Sequence, residues 1–93
     1  MAADIASLSR SFLPNNPKLA KIVEEVAKET YKARFLPKNL IRVLVTRAME
    51  EVRQHGHEFA IEPEFKIKME YHAKALHGRY RSQITLMNTR NKR

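Results

Sequence analysis

Apolar residues recur at helical spacing in three stretches of this chain. From Pro17 onward, Leu19, Ile22, Val23, Val26, Thr30 and Ala33 trace one helical face, with Glu24, Glu25, Lys28, Glu29 and Lys32 outside it. Asn16 suits the N-cap, and Pro17 the first helical position, where a missing N–H costs nothing. The pattern predicts a helix over 17–34, with Lys28 in pairing range of Glu24 and Glu25. Phe35-Leu36-Pro37 ends it, because the residue before a proline is pushed out of the α region. A second helix is predicted over 38–55 on the stripe Ile41, Leu44, Val45, Ala48 and Val52, with Leu40 and Met49 at its margins. Gly56 fits just past its end, and Arg53 and His55 put cations in the last turn.

The final third fits two templates. Phe65 to Tyr71 alternates strictly, the period of a half-buried strand. Phe65, Met69, Ala73, Leu76, Tyr80, Ile84 and Met87 also step by 4, 4, 3, 4, 4 and 3, a helical stripe over twenty-three residues. Glu62-Pro63-Glu64 resembles a helix start. The longer match predicts a helix over 63–87, which leaves Ile67 and Tyr71 off the stripe. Either they face a second element or 58–71 is a β-ribbon. His57–Glu62 reads as a short extended connection. Residues 4–13 place Ile5, Leu8 and Phe12 on one side of a short helix, but the segment is Ser-rich and reads almost as well as a frayed arm. The expected fold is all-α: a helical hairpin packed on a long C-terminal helix, with a flexible arm over 1–16, one domain over 17–87 and a basic tail over 88–93. An α+β domain with the ribbon at 58–71 is the alternative.

Charge changes this picture most. All ten acids precede Tyr71, whereas Tyr71–Arg93 carries Lys74, Arg79, Arg81, Arg90, Lys92 and Arg93. Most of the formal +8 is therefore local. Such a block attracts polyanions, because each neutralised phosphate releases counterions. Arg79, Arg81, Arg90, Lys92 and Arg93 are candidate phosphate contacts, with Lys74 beside them. Tyr80 could stack on a base, but it lies on the apolar stripe and reads better as core. The plainer reading is a solvated helix face and a soluble tail. The first two helices could form a helix-turn-helix whose second helix offers Lys38, Asn39, Arg42 and Thr46. Asn and Arg are the types that read adenine and guanine edges. The bulky Phe35-Leu36 connection favours an ordinary helical hairpin over that motif.

Other chemistry finds little footing. Cysteine is absent, which fits a reducing compartment and removes disulfides and thiolate sites. His55-Gly56-His57 is a His-x-His element, but His72 and His77 are about 140° apart on a helix, and no metal site is expected. There is no nucleophile elbow, phosphate-cradling glycine loop or zinc-protease motif, so neither catalysis nor a cofactor is expected. Glu24-Glu25 and Glu50-Glu51 read as surface charges. No apolar run nears the ~20 residues that span a bilayer, and Met1-Ala-Ala-Asp4 lacks a signal-like positive start. One Arg and one Asp in residues 1–16 disfavour a mitochondrial leader. The basic apolar-striped last helix could also lie on a membrane or dock in a protein groove, although so small a core needs that stripe. The expected function is that of a small non-enzymatic nucleic-acid-binding protein, cytoplasmic or nucleoid-associated, with DNA ahead of RNA as partner. A transcriptional regulator or nucleoid accessory factor fits, dimeric through the last helix. The alternative is an interaction module docking an acidic protein.

Overall fold

A computed structural model describes the backbone of residues 2–91 and the side chains of residues 2–79. Four helices, α1 (Ile5–Phe12), α2 (Pro17–Tyr31), α3 (Lys38–His55) and α4 (Pro63–Asn91), make the fold all-α apart from two short strands, β1 (Ala2–Asp4) and β2 (Phe35–Pro37). A 3-10 turn, His57–Ile61, links α3 to α4. The α3 limits are those the pattern predicts, and its stripe of Ile41, Leu44, Val45, Ala48 and Val52 is wholly buried. Asn16 accepts from the Leu19 N–H at 3.2 Å, with Pro17 at the first position, as the spacing implies. Lys28 pairs with Glu24 at 3.0 Å, leaving Glu25 exposed. α2 stops three residues early because Lys32 takes the left-handed conformation (φ 55°) and its N–H bonds the Lys28 carbonyl.

The segment expected as a flexible arm is instead part of the core. Ile5 is fully buried, Leu13 is buried, and Leu8 and Phe12 pack against the same cluster. Asp4 caps α1 through the Ala6 N–H at 2.9 Å. Ahead of it, β1 pairs antiparallel with β2 in the register Ala2 to Pro37, Ala3 to Leu36 and Asp4 to Phe35. The Ile5 N–H then reaches the Arg34 carbonyl at 3.0 Å. This pairing explains the bulky α2–α3 connection: Leu36 is a core residue and a strand partner, not a turn residue. Nor do α2 and α3 form a helix-turn-helix, since a strand stands where the tight turn would be.

The ribbon alternative at 58–71 does not form; the two strands lie at 2–4 and 35–37 instead. Residues 57–61 coil tightly, burying Phe59 against Phe65 with ring centroids 5.8 Å apart, while Ile61 is exposed. From Pro63 the chain is helical, with Phe65, Met69 and Ala73 fully buried and Leu76 half-buried. Ile67 and Tyr71 are covered by no second element among the described residues: they are 64% and 72% exposed. The helix continues through Asn91, so residues 88–91 extend it; Lys92 and Arg93 lie outside the described residues.

Two polar side chains of the core, Ser9 and Tyr31, are poorly provided for. The Tyr31 hydroxyl is buried without a hydrogen-bond partner, its ring edge-on to His77 with centroids 4.8 Å apart. Burial pushes the Tyr31 phenol up to about 12. The unfolded chain ionises near 10, so the stability tied to the neutral phenol is complete below pH 10 and is lost as pH rises toward 12. That loss is about 2–3 kcal/mol, at 1.36 kcal/mol per pH unit. Tyr31→Phe should remove this alkaline loss and be neutral to about 1 kcal/mol stabilising at pH 7, because no partner is orphaned. Urea unfolding of both chains between pH 7 and 12 checks this; an identical alkaline loss in the variant would reject it.

Candidate nucleic-acid interface

Lys38, Asn39, Arg42 and Thr46 all lie on the exposed surface of α3, as the sequence requires of a contact surface. Two of them are also engaged within the chain. The Arg42 guanidinium lies 5.5 Å from the Phe12 ring centroid, a cation–π contact that tethers it toward α1. Thr46 Oγ1 donates to the Arg42 carbonyl at 2.9 Å, which uses its proton and leaves acceptor capacity. Asn39 and Lys38 have no side-chain bond among the described residues. Val43, 37% exposed, sits one turn along from Asn39.

The opposite flank of α3 meets α4, and the contacts fix the relative direction of the two helices. Glu51 holds Lys68 at 3.4 Å and lies 3.8 Å from both His55 and His72. His55 also approaches Lys68 at 3.3 Å, and Lys68 lies over the Phe59 ring at 5.4 Å. Nearer the start of α3, Arg47 lines one small niche with His72, Ala75, Leu76 and Arg79. Ascending α3 from 47 to 55 thus means descending α4 from 79 to 68, so the helices are antiparallel. Glu51, expected as a surface charge, is instead largely covered and cross-links the pair. It would be difficult to place from sequence, because its α4 partners, Lys68 and His72, lie seventeen and twenty-one residues away.

This geometry sorts the basic residues. Arg79 is brought to α3; Lys74 is exposed about 140° round the helix from it and is not. The backbone of Arg81 and Arg90 continues α4, with their side chains outside the described residues, as are Lys92 and Arg93 altogether. Arg47 and His72 are the additions: the sequence pattern does not single out Arg47, and it raises His72 only as a metal ligand. A signal for Arg47 did exist: residues 30–49 contain no acid and five cations, Lys32, Arg34, Lys38, Arg42 and Arg47. Antiparallel packing sets Arg47, within that interval, beside His72 and Arg79 of the second acid-free interval, 71–93. Together the two intervals hold eleven of the eighteen Lys and Arg residues.

At the other end of α3, Leu13, Leu19, Met49 and Val52 line an open apolar groove of about 520 Å³, edged by Arg53 and His57. Among the described residues, no three His, Asp or Glu side chains are gathered as a metal-ligand set. Where Glu51, His55 and His72 come nearest to one, the Lys68 ammonium already supplies the positive charge. No described helix is long and apolar enough to cross a membrane. Compared with known proteins, the chain matches no family model, no curated protein and no solved structure.

Proposed function

We propose that this chain is a small, non-enzymatic nucleic-acid-binding protein that anchors to phosphates through the adjoining basic parts of α3 and α4. The observation that carries this reading is the antiparallel packing that brings Arg47, in one acid-free, cation-rich interval, to His72 and Arg79 in the other. Separately, each interval is a modest local charge. Adjoined, they form one surface whose attraction for a polyanion grows with each counterion released. DNA is favoured over RNA because α3 presents an exposed helical surface of Asn39, Arg42, Val43 and Thr46. A B-form major groove admits such a helix, whereas the A-form major groove is too deep and narrow. Phe12 restrains Arg42, so sequence reading through it requires release of the cation–π contact, which is worth about 0.5–1 kcal/mol at an exposed site. A role as a transcriptional regulator or nucleoid accessory factor, in the cytoplasm or on the nucleoid, follows from that partner. Titrating a duplex of arbitrary sequence with the full chain at about 50 mM salt tests the reading. Affinity tighter than the range of about 1–100 μM that holds at physiological salt is expected there, and no binding would reject it.

Self-association is the second part of the proposal. Met69 and Ala73, the first residues of the stripe expected to mediate it, are consumed by the core and are not available. Among the described residues of α4, Ile67 and Tyr71 are the large apolar side chains left exposed, one turn apart, and a second copy packing there would cover them. Sedimentation at tens of micromolar tests this, a range that would saturate an interface of ~1 μM affinity. A purely monomeric boundary would reject it. Those exposed side chains also favour the protein-partner alternative, in which an acidic protein takes the basic surface.

A further inference from the structure

We propose that the niche between α3 and α4 framed by Arg47, His72 and Arg79 seats a single phosphate group, held by one guanidinium from each helix. The proposal deepens the nucleic-acid reading and rests on it for the source of the phosphate. The niche has a volume of about 60 Å³, room for a few waters or one tetrahedral oxyanion rather than a base or a sugar. Its lining combines two arginines and a histidine with two apolar residues, Ala75 and Leu76. Guanidiniums present planar forks that match phosphate oxygens in pairs, and an apolar wall strengthens those bonds by excluding water from one side.

The neighbouring acids leave both forks available. Glu50 approaches Arg47 at 3.5 Å, but both side chains are about half exposed, and such surface pairs exchange readily for a more highly charged partner. Glu51 lies within 3.8 Å of the His72 imidazole but is held by Lys68. His72 therefore stands between an anion already paired and a space lined by two cations. A phosphate in that space would tie α3 to α4 just where the two acid-free intervals adjoin. Arg47 and Arg79 would then count as one phosphate contact, not two.

That shared contact gives the test. The full chain, Arg47→Ala, Arg79→Ala and the double variant are compared on inorganic phosphate and on a duplex with and without 5′-phosphates. Both arginines are exposed, so folding should be unaffected. In NMR, phosphate should shift the His72 ring and both arginine Nε signals saturably, and chloride at equal ionic strength should not. Each single variant should lose roughly tenfold in duplex affinity, the size of one charge-assisted contact. The double should lose little more, and the salt slope should fall by about one unit in all three. Dependence on the 5′-phosphate would assign the seat to a strand end, and independence would assign it to the backbone. Losses that multiply to about a hundredfold, with a slope change of about two units, would mean two separate phosphates and overturn the seat. Absence of a saturable phosphate response would overturn it too, while duplex binding by the remaining surface would leave the nucleic-acid reading intact. Conversely, a saturable response without duplex binding would keep the seat and remove that reading.

Discussion

Ile5→Ala is expected to cost about 2–5 kcal/mol of stability, the range for truncating a buried Ile or Leu where the site collapses only partly. Ile5 is fully buried between the strand pair and the helices, and its own N–H is fixed on the Arg34 carbonyl. A chain of this length has roughly 5–14 kcal/mol in total, taking 0.05–0.15 kcal/mol per residue. The substitution therefore removes a large share. The exposed Ser7, on the same helix, supplies the control: Ser7→Ala should stay within about 0.5 kcal/mol. Urea unfolding gives both values. A cost for Ile5→Ala under about 1 kcal/mol would mean that α1 is a loosely docked arm after all, and that the 17–79 core stands without it.

That first segment marks the limit of what local pattern reveals. Asp4 before Ile5 is a legible N-cap, and Ile5, Leu8 and Phe12 form a legible stripe, yet eight residues of helix are marginal alone. What fixes the segment is a strand pairing across more than thirty residues, which no local period encodes. Leu36 reads as an awkward turn residue for the same reason. By contrast, α3 carries cap, stripe and terminal cations within its own length, and so its limits are visible directly. The third region is decided by length. An alternation of seven residues at Phe65–Tyr71 gives way to a helical stripe whose members Phe65, Met69 and Ala73 are all buried. The exposed Ile67 and Tyr71 carry that alternation without belonging to the core.

The candidate surface divides in the same manner. Lys38, Asn39, Arg42 and Thr46 follow from the opposite side of a readable stripe, and their exposure needs nothing but helical geometry. That Arg79 belongs with Arg47 and His72, whereas Lys74 does not, depends on the antiparallel approach of α3 and α4. The Glu51 cluster and the niche set that approach, and both join residues far apart in sequence. Charge counting finds the acid-free intervals. Only packing shows that they adjoin.

Binding to duplex should accordingly weaken about 250- to 1,000-fold between 50 and 200 mM salt, the consequence of a log–log slope of about −4 to −5 over a fourfold change. That slope corresponds to five phosphates engaged by Arg79, Arg81, Arg90, Lys92 and Arg93, the cations of the acid-free C-terminal interval after Lys74. Arg47 adds no further unit if it shares the Arg79 phosphate. Deleting residues 89–93 removes Arg90, Lys92 and Arg93 and no apolar residue. The slope should then shrink by about 2–3 units while the urea midpoint stays in place, because phosphate contacts and core packing are separate terms. Affinity against salt for the full and shortened chains, on one duplex, measures both slopes. An unchanged slope would mean that the last five residues never meet the polyanion and that α3 with Arg79 carries the binding. A shrunken slope with a lowered midpoint would instead tie the end of α4 to the fold.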